Sequence, residues 1–437
     1  MKKIIVVVAA LVVCVLVAAA AVFVLLDDDD ERRPVDGEIA AVGLIYDLGN
    51  GEYTQFYNSM NSDMRVQYSA GMIEAVWKGK TGGLGKFQSV ERTEVIGTKI
   101  DLYCAFEGGG KKVTIALDDS GLISDMLFEE YDQNIFDTIP NGLKEVNVKI
   151  NAGGKWELNG KITTSLSGRS NTAAVIVQGS GAHDMDGTIG PNKIYRNLAW
   201  DLAQYDIDVL RCDKRTFVYG GSSAEDIRKF TVKEEAIDDA IAAAKLLKGL
   251  GYERVFLIGH SLGAMLAPAI VKESNGLFDG FISLAGTPRT MSEIQADQNI
   301  AFGANPLLVS LELSKLDQLD SWTESELLSR TIFGLSGYYV KDMISRDAGK
   351  IAASLDVPML FLQGSADFQV YADKDFKMWQ NLLDGKEGTK FILYDGLNHL
   401  FMVSQGKNVG TTDEYQLKGY VSPKVIRDIA DFIKDSM

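Results

Sequence analysis

Histidine is scarce in this chain, with three in 437 residues: His183, His260 and His399. A reaction that needs an imidazole base therefore has few places to find one. Cysteine is equally scarce, at Cys14, Cys104 and Cys212. Thiols so widely spaced form neither a disulfide framework nor a metal-ligand cluster, and they read as buried free thiols. Proline numbers only 8, which argues against long disordered linkers. Basic residues are outnumbered, 44 against 60 acids, for a net charge of −16. Such a chain repels phosphate backbones, so nucleic acid is not expected as a partner. No glycine-rich phosphate loop, metal spacing or nucleotide fingerprint is present, and no cofactor is expected.

What is present begins with an unbroken apolar run, Ile4 to Leu26. Met1-Lys2-Lys3 precedes it and Asp27-Asp28-Asp29-Asp30-Glu31 follows. At ~1.5 Å per residue such a helix spans a ~30 Å hydrocarbon core. Lysines ahead of the span predict a lysine-inside orientation. Residues 1–33 are thus expected to form a transmembrane helix and acidic linker, with the body outside the cytoplasm. The alternative is a secreted protein, released by signal cleavage within Ala18–Ala21.

The length suits two folded units. Residues 34–140 read as helices followed by strands. Ile39–Leu48 is an amphipathic helix broken by Asn50-Gly51, and Tyr53–Met60 a second. Thr98–Phe106 and Lys112–Leu117 are strand-like, joined by a turn at Gly108-Gly109-Gly110. A further turn leads to Leu122–Phe128. The order predicts a small α+β domain with one curved sheet.

From Asn141 onward (residues 141–437) strands and helices alternate. Val146–Ile150 and Trp156–Ser165 open the pattern. Ala173–Val177, Ile207–Arg211, Val255–Ile258, Phe281–Leu284 and Met359–Leu362 are short apolar runs, as strands buried on both faces require. Phe391–Tyr394 reads as the last strand. Thr231-Val232-Lys233-Glu234 is a capping box. Ser422-Pro423 opens a closing helix with Ile426, Ile429, Ala430 and Ile433 as its buried stripe. The alternation predicts an α/β fold: a doubly wound, mostly parallel sheet that binds ligands at its carboxyl ends.

The strand Arg254–Ile258 runs into Gly259-His260-Ser261-Leu262-Gly263, and a helix follows. This G-x-S-x-G turn exposes a serine on a strained backbone, with glycines where bulk would clash. Ser261 is the expected nucleophile. A serine hydroxyl needs a base, and His399 follows the last strand. His260 is set aside because its position points it away from the attack direction. The imidazole needs an orienting carboxylate. Asp367 ends the turn after Met359–Gly364, with Asp395 and Asp373 as fallbacks. The oxyanion hole needs two backbone donors: Leu262, after the nucleophile, and Ser180 in Gln178-Gly179-Ser180-Gly181.

Gln178–Asp184, Arg211–Thr216, Gly259–Gly263, Gly364–Asp367 and Asn398-His399 together resemble the α/β-hydrolase superfamily, in its serine-aminopeptidase-like and esterase group. The resemblance implies the α/β-hydrolase fold and the triad Ser261, Asp367 and His399. It also implies hydrolysis of carboxylic esters with short acyl chains, through an acyl-enzyme. Two positions depart from the family: Gln178 replaces a usual histidine, and Cys212 a common tyrosine. Asp213 and Arg215 read as structural ion-pair candidates. Residues 287–356, rich in Leu, Met and Tyr, are expected to form a helical cap, with Phe302 or Tyr338 lining an acyl pocket. The Trp77…Gly85-Lys86-Phe87 spacing in 34–140 resembles the cystatin or nuclear-transport-factor type of domain that often precedes secreted α/β hydrolases. Three functions stay open: a serine esterase; a peptidase using the same triad, with Glu324 or Glu326 holding the substrate amine; and a membrane-tethered binding protein.

Overall fold

Alternating burial along Ile100, Leu102, Cys104 and Phe106 gives the first sheet its inner face. The computed structural model describes residues 37–153, 156–220, 229–301, 303–406 and 408–436. Strands β1 (Phe87–Ile96), β2 (Lys99–Phe106), β3 (Gly109–Leu117) and β4 (Ile123–Tyr131) pair antiparallel in chain order. They close on helices Gly37–Asn50 and Ala70–Thr81 through Ala41, Ile45, Leu48 and Trp77. The sequence reading misses β1. Register shifts at Phe87/Ser89 and Val90/Arg92 break its alternation, so Ser89, Val90 and Glu91 are all buried in a row. The second helix is short, Thr54–Asn58.

The larger sheet contains β5 (Leu143–Asn151), β6 (Glu157–Ser165) and β7 (Thr172–Val177). A two-residue pair follows, β8 (Thr188–Ile189) and β9 (Asn192–Lys193), and then β10 (Asp208–Cys212), β11 (Arg254–His260) and β12 (Gly280–Leu284). A second short pair, β13 (Thr331–Ile332) and β14 (Leu335–Ser336), precedes β15 (Met359–Gly364) and β16 (Thr389–Tyr394). The order across the sheet is β16-β15-β12-β11-β7-β10-β6-β5. The six strands from β16 to β10 are parallel, and β6 and β5 extend the edge antiparallel. From β7 the chain steps outward to β10, then returns to the other side at β11. The loops leaving β7 and β11 therefore diverge from one switch point, where such sheets bind ligands. Strands β7, β12 and β15 are buried along their whole length, as their apolar runs require.

The closing helix Pro423–Asp435 buries Ile426, Ile429, Ala430 and Ile433 as expected, but the Ser422 hydroxyl makes no cap bond. Proline alone opens this helix. The box at Thr231 is also altered. The Glu234 carboxylate accepts from the Thr231 amide at 2.9 Å, while the Thr231 hydroxyl accepts from Lys233, because Lys233–Ile237 winds as a π-turn. Between β12 and β15 lie helices Met291–Ala301, Pro306–Ser314, Glu324–Ser329, Gly337–Ile344 and Ala348–Ala353. They have a small core of their own around Trp322, Leu327 and Val340.

The N-terminal unit packs on the loop after β16. The Gln405 side chain donates to the Val90 carbonyl at 2.8 Å and accepts from its amide at 3.0 Å. Arg92 pairs with Asp201 at 3.0 Å, and Lys418 with Asp137 at 2.8 Å. Among the described residues no helix is long and apolar enough to cross a membrane. The span expected at residues 1–33 lies outside the described residues, as does Phe302.

Candidate active site

Strand β11 ends at His260, and the next residue, Ser261, takes φ 54° and ψ −114°. Few non-glycine residues adopt such a backbone. Two contacts show why glycines flank it. A Cβ on Gly259 would lie 2.4 Å from the Gly263 carbonyl oxygen, and one on Gly263 would lie 2.2 Å from that of Val177. Helix Leu262–Glu273 starts immediately. The Leu262 amide, in its first turn, has no acceptor within the helix.

Asp367 is buried, and its carboxylate gathers four donors. Oδ2 lies 2.7 Å from His399 Nδ1 and 2.9 Å from Gln363 Nε2. Oδ1 accepts from the amides of Gln369 at 2.8 Å and Val370 at 3.0 Å. The fallback acids lie elsewhere. Asp395 accepts from the Ser365 hydroxyl at 2.8 Å, and Asp373 is exposed on the turn Ala372–Phe376. Ser261, His399, Ser180 and Leu262 all line one cavity of about 450 Å³ at the carboxyl ends of the strands.

His260 has a structural place. Its Nε2 is 2.9 Å from the His399 carbonyl oxygen, and its Nδ1 is 3.2 Å from Tyr195 Oη. Tyr195 Oη accepts from the Gly179 amide at 2.8 Å, so it donates to Nδ1 and leaves the proton on Nε2. Burial, reinforced by His399 nearby, pushes the His260 imidazole down to about 3, so it stays neutral. The β7 loop, the elbow and the His399 loop are thus tied by one line of hydrogen bonds.

Gln178, at the position of the family histidine, donates to the Cys212 carbonyl at 2.6 Å and that of Asp184 at 3.0 Å. It pins the loop to β10. Arg215 pairs with Asp239 at 2.5 Å, while Asp213 accepts from the Met185 amide at 2.9 Å.

A second cavity, of about 490 Å³, adjoins the first and shares Ser180, Leu262, Met291 and Gln295 with it. Its further walls include Phe230, Leu328, Leu335 and Tyr339. Tyr338, the residue expected there, instead packs toward the Trp322 core, because adjacent helical residues face different ways. Glu326 closes a capping box with Thr323 and pairs with Arg330 at 2.7 Å. Glu324 is exposed, and neither glutamate lines these cavities. Sequence reasoning missed Gln363 and Tyr195. Gln363 carries a signal, a polar residue at the end of an apolar strand; Tyr195 carries none.

A family model described as serine aminopeptidase, S33, matches residues 184–405. Esterase EstD from Thermotoga maritima is 32% identical over 396 residues, which cover 88% of this chain and 92% of that protein. Among solved structures, Est1E from Butyrivibrio proteoclasticus is 14% identical with a TM-score of 0.44, over 66% of this chain and 98% of its own. The esterase Pf2001 from Pyrococcus furiosus is 13% identical with a TM-score of 0.43, over 71% and 96%. With half the chain inside the family model and most of it aligned to EstD, the chain belongs to the serine aminopeptidase (S33) group of the α/β-hydrolase superfamily.

Proposed function

We propose that this protein is a carboxylic ester hydrolase working through an acyl-enzyme on Ser261, with His399 as base and Asp367 as its orienting acid. The observation that carries the reading is the 2.7 Å contact of His399 Nδ1 with Asp367, in the cavity lined by the strained Ser261. A proton held on Nδ1 leaves Nε2 free to take the serine proton. The serine oxygen then attacks the ester carbonyl, and the amides of Leu262 and Ser180 receive the developing oxyanion. His399 returns the proton to the departing alkoxide. Water repeats the sequence to release the acid.

The two cavities suggest how the ester lies. The leaving oxygen must come within hydrogen-bond reach of the base, and His399 lines only the first cavity. That cavity is the more polar of the two, with Gln298, Gln369, Thr412 and Asp413 in its wall, and takes the alcohol portion. The acyl chain takes the second, against Phe230, Leu328 and Leu335. Glu324 and Glu326, the acids expected to hold an amine, line neither cavity, and the ester reading is supported instead by the 32% identity with Esterase EstD over most of the chain. The composition of Ile4–Leu26 supports a tether that keeps the enzyme at the membrane with its body outside the cytoplasm.

Turnover of p-nitrophenyl esters from C2 to C12 tests the chemistry. Ser261→Ala is expected to abolish it while leaving the thermal melt in place, and persistent turnover would overturn the assignment. Recovery of full-length protein in the membrane fraction, lost on deleting residues 1–33, tests the tether.

A further inference from the structure

The peptide joining Gly179 to Ser180 is gripped by a cation that the scheme above does not use. Lys214 is buried, and its Nζ donates to the Gly179 carbonyl oxygen at 2.7 Å. That oxygen and the Ser180 N–H belong to one peptide group. An ammonium on the oxygen end withdraws charge from the nitrogen end and makes the N–H a stronger donor. It also fixes the plane of the peptide. The next carbonyl, of Ser180, is held separately by His183 Nε2 at 2.6 Å. The Gly179 amide is committed to Tyr195, so it is not the oxyanion donor.

Lys214 is itself held by a carboxylate that the cap braces. Its Nζ pairs with Glu235 at 2.8 Å, and Glu235 sits in the π-turn Lys233–Ile237. Single π-turns often re-aim a side chain at a functional site. The other Glu235 oxygen accepts from Tyr339 Oη at 2.5 Å. Tyr339 lies on the cap helix Gly337–Ile344 and lines the acyl-side cavity. A continuous path therefore runs from cap to tyrosine, to carboxylate, to ammonium, to the oxyanion peptide. A buried ion pair by itself adds little to stability, whereas one placed on this peptide bears on the charge that forms there.

We propose that Lys214 is a positioning residue for the transition state. It orients and polarises the Gly179–Ser180 peptide so that the Ser180 N–H binds the developing oxyanion more strongly than the ground-state carbonyl. Glu235 holds it there, braced in turn by Tyr339 of the cap. The inference rests on the serine hydrolase reading of the preceding subsection.

The test compares the full-length protein with Lys214→Met, Lys214→Arg and Tyr339→Phe. Two quantities are measured: kcat and KM on p-nitrophenyl butyrate, and the inhibition constant of an alkyl trifluoromethyl ketone, which adds to the serine as a tetrahedral oxyanion. Lys214→Met is expected to lower kcat by about 10- to 100-fold, somewhat less than loss of a whole oxyanion donor. KM should stay within about twofold and the ketone constant should rise in step with the fall in kcat. Lys214→Arg should restore part of the loss, and Tyr339→Phe should cost about two- to fivefold in the same two readouts. If Lys214→Met fails to fold because Glu235 is left unpaired, Lys214→Met with Glu235→Gln removes that charge and is read in the same way. A folded variant with wild-type ketone affinity, or a loss confined to KM, overturns the proposal. Ser261→Ala separates the two readings. Turnover that survives it overturns the hydrolase, while serine-dependent turnover indifferent to Lys214 overturns only this inference.

Discussion

Asp367 shows how one side chain is made to serve another. Its four donors leave it a single orientation, and His399 Nδ1 is among them. Asp367→Asn keeps the shape but favours the wrong imidazole tautomer, so kcat is expected to fall by roughly 10⁴. Asp395→Asn, whose bond goes to Ser365, should stay near wild type. The opposite pattern in steady-state kinetics would reassign the acid. His260 makes a second prediction. Its native value of about 3 lies below the ordinary ~6.5 of an unfolded histidine, so the unfolded chain binds the extra proton between those values. The stability it confers is present above pH ~6.5 and declines by about 1.4 kcal/mol per pH unit below it. Chemical denaturation from pH 7 to 4 should show a steeper decline for wild type than for His260→Gln, and equal slopes would refute the account. The expected nucleophile, base and acid were readable because each follows an apolar strand in the right chain order. Lys214 was not, because its partners lie at 179 and 235 and no local pattern links them.

At the scale of elements, the cap is anchored at its first turn. Arg289 makes a two-bond fork onto buried Asp375, at 2.7 and 2.8 Å, and pairs with Asp297 at 2.5 Å. Helix Met291–Ala301 is therefore set firmly over the elbow, where Met291 and Gln295 wall both cavities. Leu335→Trp would fill the second cavity, the one proposed for the acyl chain. Its kcat/KM for octanoate is expected to fall at least about tenfold while acetate is spared. A change in alcohol preference instead would reverse the assignment of the two cavities. The parallel strands were legible because burial on both faces demands short, wholly apolar segments. Strand β1 was not, since its bulges scramble the alternation that marks an edge or half-buried strand. The cap named its class but not its lining, because one residue along a helix separates Tyr338 in the cap core from Tyr339 in the cavity.

At the scale of the whole molecule, the N-terminal unit meets the very loop that carries His399. Gln405 holds both backbone groups of Val90, and Ile39 lies so close to Gly396 that a Cβ there would come within 2.6 Å of it. Gln405→Ala leaves a buried amide and carbonyl unpaired and is expected to cost about 2 kcal/mol in a denaturant melt. An unchanged melt would mean that water replaces the glutamine freely. None of this was visible in the sequence, where Val90 and Gln405 stand 315 positions apart. The same loop is held on its other side, where His260 donates to the His399 carbonyl. His399 thus hangs from a seam between two folded units, with His260, the neighbour of Ser261, gripping it from behind. Heat that parts the seam should silence the enzyme while the larger sheet is still intact, so loss of turnover becomes a thermometer for the joint rather than for the core.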